Sequence, residues 1–231
     1  MTSLAEHRAV QAIAKGVLAA LGPSIVPSDT EASIAQRATN LLADAGIAET
    51  WYHNCPAFVL LGSRSCLSIS GREYKPANEP VGNENLVTVD LSPMRNGIWG
   101  DCARSFCIED GRAVERPTCR EFPAGIEAEQ FLHARMMDFT TPQTTFEDLF
   151  AFANKEIEKL GFENLDFLRN VGHSIESHPD RRRYIQAENA IPLGEVALFT
   201  FEPHIRTKGG RWGFKHENIY YFDSDGRILE L

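Results

Sequence analysis

Five residues of this 231-residue chain have types and settings that suit a hard, oxygen-rich metal centre: Asp90, Asp101, His173, Glu202 and Glu217. Asp90 interrupts the apolar run LVTVDL, and Asp101 lies in IWGDCARSF, across Asn96-Gly97. Asn-Gly between two β-rich runs signals a hairpin, and a hairpin brings two such carboxylates to neighbouring ladder positions. Unpaired, they would repel and raise one another's pKa, and a divalent cation removes that conflict. Glu202 ends the stretch ALFTF ahead of Pro203, and Glu217 directly precedes NIYYF. His173 follows Gly172 in NVGHS, where a glycine turn lets a ring project into a cleft. Singly, Glu217 reads equally as a surface acid and His173 as a loop histidine. Together the residues form a set able to hold two divalent ions of the Mn, Fe, Co or Zn kind.

Elements of two kinds must position these ligands. Leu4, Val10, Ile13, Val17, Leu18 and Leu21 recur at helical spacing until Gly22-Pro23 stops them. A second helix starts after Pro27, with Ser28, Asp29 and Thr30 as cap candidates, and ends at Gly46. Short β-branched runs at 57–61 and 86–91 predict strands, and Asn96-Gly97 predicts a hairpin between 87–94 and 98–108. Helices are expected again over 124–138 and 146–160, then strands at 197–201 and 218–222 with a closing hairpin through 223–226.

Residues 26–47 align without gaps on residues 141–162: Pro27 with Pro142, Thr30 with Thr145, Ala38 with Ala153, Gly46 with Gly161. Any two capped amphipathic helices share some of this likeness; the alternative is a duplicated α-plus-strand unit whose halves face each other across a site. With no Ser/Gly-rich linker, the expectation is one α+β domain over 1–231, with halves of about 1–120 and 121–231.

Bulk properties narrow the function. A net charge of -9 argues against a nucleic-acid surface, since phosphate recognition needs clustered Lys and Arg. The chain shows no N-terminal signal pattern and no apolar run near the roughly 20 residues of a membrane span, so a cytoplasmic protein is expected. Five cysteines without a CxxC pair argue against a disulfide framework or thiolate zinc site.

The motifs resemble those of the pita-bread metallopeptidase superfamily, which includes methionine aminopeptidases, prolidases, aminopeptidase P and creatinase. VDLSPMRNGIWGDCARSF is similar to the family's aspartate pair, NVGHSI to its histidine motif, FTFEPHI to its glutamate-proline motif and WGFKHENIYYF to its final glutamate strand. GDCARSF leans toward the prolidase and aminopeptidase P branch. The resemblance implies a pita-bread fold, α+β, with two pseudo-symmetric halves around a dimetal cleft. It implies that Asp101 and Glu217 bridge the ions, that Asp90 completes one site, and that His173 with Glu202 completes the other. A hydroxide shared by the ions would attack a scissile carbonyl, with Glu202 handling its proton and His178 contacting the oxyanion. Substrates would be small peptides cleaved at an N-terminal or Xaa-Pro bond.

The chain departs from that pattern in three places. SGREYKPANEP holds no histidine where family peptidases place one, leaving Tyr74 among the residues that could face the cleft. His178 falls close to His173. The fold starts almost at Met1, without the extra N-terminal domain of prolidases, so a homodimer is plausible on the uncovered outer surface. Arg181, in the triplet 181–183, is a candidate clamp for a carboxylate or phosphate. His204 is a candidate substrate contact, while His7, His53 and His133 read as structural or surface residues. A metal enzyme acting on a non-peptide small molecule and a non-catalytic binding module are the alternatives to a peptidase.

Overall fold

A pair of helices opens each half of the molecule in the same way. α1 (Leu4–Leu21) precedes α2 (Glu31–Asp44). Of the three cap candidates the structure uses Thr30: its side chain accepts from Ser33 N–H while the Ser33 hydroxyl accepts from Thr30 N–H, a reciprocal capping box. Asp29 instead pairs with Arg37 at 2.6 Å. The strands of the first half follow: β1 (Glu49–Thr50), β2 (Ala57–Leu61), β3 (Asn85–Leu91), β4 (Pro93–Arg95), β5 (Ile98–Trp99), β6 (Cys102–Glu109) and β7 (Arg112–Val114). β2, β3, β6 and β7 form one sheet in the order β2-β3-β6-β7, and β1-β4-β5 form another.

The second half repeats the opening. α3 (Phe122–Phe139) precedes α4 (Phe146–Lys159), which Thr145 caps through the same reciprocal box with Asp148. Ile34, Ala38 and Leu42 of α2 and their counterparts Leu149, Ala153 and Ile157 of α4 are all buried to 1% exposure or less. Each of these helices therefore sets one apolar stripe on a sheet, where a fully buried Leu or Ile contributes about 1.5–3 kcal/mol. The remaining strands are β8 (Phe162–Asn164), β9 (Phe199–Phe201), β10 (His204–Thr207), β11 (Phe214–Lys215), β12 (Asn218–Phe222) and β13 (Ile228–Glu230). They form sheets ordered β11-β10-β8 and β13-β12-β9.

The computed structural model describes residues 4–119 and 121–231. Residues 1–3 of the expected first helix, and Arg120 at the expected join of the halves, lie outside them.

One expectation needs correction. The Asn96-Gly97 turn does close a hairpin, with φ of 55° and 75° at its two residues. Its arms, however, are β4 and β5, paired Met94 with Trp99 and Arg95 with Ile98, rather than the long strands on either side. The chain bends at Ser92, whose hydroxyl donates to Cys55 O at 2.7 Å, and at Gly100. The long strands β3 and β6 pair only beyond those bends. Asp101 is thus the first residue after a bend.

Candidate metal centre

The register places the acids. β3 pairs with β6 so that Asp90 lies opposite Ala103 and Leu91 opposite Cys102. Alternation of side chains along the ladder puts Asp101, two residues before Ala103, on the Asp90 side, and both acids line the same cleft. Asp90 is therefore diagonal to Asp101 rather than directly opposite it. β12 pairs with β9 with Asn218 opposite Phe201; one step further out, that register sets Glu217 beside Glu202. Glu217 N–H donates to Ala103 O at 3.0 Å, which joins the two strand systems at the centre.

His173 is fixed by its backbone. Its N–H donates to Thr200 Oγ1 at 3.0 Å, and Thr200 N–H donates back to His173 O at 2.7 Å. This close approach requires a glycine before it: a Cβ on Gly172, whose φ is 146°, would sit 2.2 Å from Thr200 O. His173 Nδ1 lies 3.1 Å from Ser174 O. A carbonyl only accepts, so Nδ1 carries the proton and Nε2 presents a lone pair. Nε2 lies 3.4 Å from Asp101 Oδ2 and 3.5 Å from Glu202 Oε1.

Two overlapping ligand groups result, Asp101–His173–Glu217 and Asp90–Glu202–Glu217, with ligand atoms in each within 4.8 Å of one another. Glu217, common to both, is fully buried, and neither of its oxygens has a hydrogen-bond partner among the described residues. A buried carboxylate left so is costly. Burial, reinforced by the charges of Asp101, Glu202 and Asp90, drives its pKa well above the carboxylate range. Burial likewise pushes Asp101 up to about 7; the His173 contact opposes this and the charge of Asp90 adds to it. Burial also works against the Glu202 carboxylate, but Lys215 and His173 outweigh it and hold Glu202 below its usual range. An imidazole lone pair and unsatisfied carboxylate oxygens converging on one gap fit a divalent ion.

A family model, that of metallopeptidase family M24, matches residues 5–224. The chain belongs to metallopeptidase family M24. It is 26% identical over 142 residues to methionine aminopeptidase of Chlamydia trachomatis serovar D, a match covering 60% of this chain and 45% of that protein. The chain thus spans less than half the length of the curated relatives it matches. Among solved structures it is similar to the prolidase of Pyrococcus furiosus, with TM-score 0.78 and 19% identity, over 96% of this chain and 61% of that one. It is also similar to the methionine aminopeptidase of Rickettsia prowazekii, with TM-score 0.74 and 15% identity, over 97% and 94% of the two chains. These likenesses show the M24 pita-bread fold, α+β as expected.

Around the candidate ligand cluster the cleft holds about 500 Å³. Of the expected substrate contacts, His204 lines it: Nε2 donates to Ser65 O at 2.6 Å, and burial lowers the ring pKa to about 4. Tyr74 is turned away. Its hydroxyl donates to Val59 O at 2.9 Å and its ring packs 4.3 Å from Phe58, so it braces β2 outside the cleft lining. His178 caps a short turn, accepting from Asp180 N–H, with its side chain 64% exposed, and Arg181 is exposed beside it. Neither lines the cleft; in their place the neighbouring Arg182 does, its guanidinium 4.7 Å above the Trp51 ring.

Two cleft residues escaped the sequence reading. His53, read there as structural or surface, lines the mouth and accepts from Arg72 Nε at 3.3 Å. Lys215 sits at the ligands, its Nζ 2.6 Å from Asp90 Oδ2 and 2.9 Å from Glu202 Oε2. Its position two residues ahead of Glu217 was the available signal.

Proposed function

We propose that this M24 chain is a divalent-metal-dependent hydrolase of the aminopeptidase type, acting on the N-terminal bond of small peptides, Xaa-Pro bonds among them. The observation that carries the reading is the Glu217 carboxylate, buried, unpartnered and shared by two ligand groups beside a cleft of about 500 Å³. That volume lies in the range of small-molecule sites. The methionine aminopeptidase and prolidase names among its relatives support the same class.

A divalent ion held by these residues supplies Lewis acidity toward a scissile carbonyl and makes water acidic enough to attack near neutral pH. The chain's own groups do the rest. Glu202 is ionised, about 20% exposed and within reach of the cleft, so it is placed to take a proton from the attacking water. His204, neutral and with Nε2 committed to Ser65, offers Nδ1 as an acceptor for a substrate N–H. Phe58, Leu60 and Leu67 form an apolar wall for a substrate side chain.

A peptide library incubated with protein reconstituted in turn with Mn²⁺, Co²⁺, Fe²⁺ and Zn²⁺ tests the reading. Release of N-terminal residues that disappears in Glu202→Gln is expected. A metal-loaded protein that cleaves nothing in the library would shift the substrate to a non-peptide small molecule. Arg182, stacked on Trp51 and 5.5 Å from the Tyr184 ring, favours an anionic one.

A further inference from the structure

Lys215 is an ammonium group installed among metal ligands. β11 pairs with β10 so that Lys215 lies opposite His204, two residues ahead of Glu217 in the chain. Its side chain is 19% exposed, and both of its ion-pair partners, Asp90 and Glu202, belong to one of the two ligand groups. The other group, Asp101–His173–Glu217, has no Lys or Arg ion-pair partner on its Asp101 or Glu217 carboxylates among the described residues, and both Glu217 oxygens are without a hydrogen-bond partner there. The two positions are therefore unequal. A Lys Nζ at hydrogen-bond distance uses the oxygen lone pairs that an incoming ion would need. It also sets a positive charge beside that ion in a place where little water screens the repulsion.

We propose that this centre holds one divalent ion, seated on Asp101, His173 and Glu217, and that Lys215 Nζ is the permanent cation of the Asp90–Glu202 position. The inference rests on the metal-dependent reading above and replaces the two ions expected from sequence with one ion and one ammonium. Four carboxylates, one ammonium and one divalent ion leave a single net negative charge, which suits the ammonium of a peptide N-terminus.

Metal content separates the two claims. Chelator-stripped protein is equilibrated with Mn²⁺, dialysed, and analysed by elemental mass spectrometry and electron paramagnetic resonance. The wild type is expected to retain one Mn²⁺ per chain with an uncoupled six-line spectrum. Lys215→Met is expected to retain two, with the broadened spectrum of an exchange-coupled pair. Two tightly held ions in the wild type would overturn the inference and leave the metal-dependent reading standing, as would a folded Lys215→Met that stops at one. No bound ion in the wild type would remove both. If Lys215→Met does not fold, the wild-type count and spectrum decide alone.

Discussion

Glu217 is tied to Ala103 of the opposite half by one backbone hydrogen bond of 3.0 Å, and Arg104 clamps the same junction from the side. The Arg104 guanidinium donates to Glu217 O at 2.7 Å and to Asn218 Oδ1 at 2.7 Å. The carboxylate common to both candidate ligand groups is thus held in place by a side chain that belongs to neither group. Arg104→Met should lower stability by about 1.5–3 kcal/mol, the usual worth of charged hydrogen bonds, a fall of roughly 3–12 °C in melting temperature. Metal affinity should weaken by about 10- to 100-fold, as for loss of a ligand's supporting contact. Thermal melts and Mn²⁺ titration of the variant check both.

Glu217→Gln should act in opposite directions on the metal-free and metal-loaded proteins. Without metal, the amide removes an ionisable group that is fully buried among other carboxylates, so at pH 8 the variant should melt no lower than the wild type. With Mn²⁺ at a hundred times its dissociation constant, the wild type gains about 2.7 kcal/mol and the variant gains almost nothing. Differential scanning calorimetry with and without Mn²⁺ reads both. A metal-induced rise preserved in Glu217→Gln would remove Glu217 from the ligand set.

Metal binding should strengthen with pH through neutrality. The Asp101 pKa is pushed up to about 7 from an ordinary 3.8, and Glu217 is raised as well. Because these folded-state values exceed the unfolded ones, the metal-free protein holds extra protons. Its stability from this source is full below the unfolded value near pH 4 and declines up to about pH 7. The ion must displace those protons, so affinity should fall about tenfold per pH unit for each proton released below neutrality. Calorimetric titrations of Mn²⁺ in two buffers of different ionisation enthalpy will count them. Affinity that stays flat between pH 6 and 8 would refute the ligand assignment.

A second buried acid lies outside the ligand set. Glu129 on α3 is 2% exposed, and neither of its oxygens has a partner among the described residues. Burial raises its pKa well above the usual range, with the charge of Lys215 opposing. Lys215, Arg104 and His216 border the same small cavity. The sign follows as for Asp101: the folded protein must keep this proton, so stability drops as pH rises above the unfolded value. Glu129→Gln should therefore match the wild type near pH 4 and exceed it at pH 8, by about 1–3 kcal/mol. Urea melts at the two pH values would show a pH-independent difference if Glu129 were paired and ionised.

Much of this molecule was legible in its residues, for identifiable reasons. The helices α2 and α4 declared themselves through capping threonines, terminal glycines and apolar residues at identical offsets, all local signals. Four of the five candidate ligands stood out as acids abutting or interrupting apolar strands, where burial without a partner is costly. What failed was long-range geometry. The break at Ser92, whose hydroxyl donates to Cys55 O far back in the chain, is a long-range feature, and a one-dimensional pattern cannot show that β3 and β6 pair beyond a small separate hairpin. His178 was drawn toward the site by the family resemblance and Arg181 by its place just after the His173 loop, yet both are exposed on the turn they build. Lys215 was overlooked because a lysine in a strand reads as solvated until its pairing with the candidate ligands Asp90 and Glu202 is seen.

Gly172 gives the centre a point of fragility unlike that of the ligands themselves. A substitution at a candidate ligand position acts by removing the donor itself. The space before His173 admits only a hydrogen atom, because Thr200 O occupies the place of any methyl group. Even an alanine there would move the imidazole by shifting the backbone, leaving every ligand present in the gene but one displaced in the protein. A survey of inactivating alleles should therefore find lesions at a codon with no chemistry of its own.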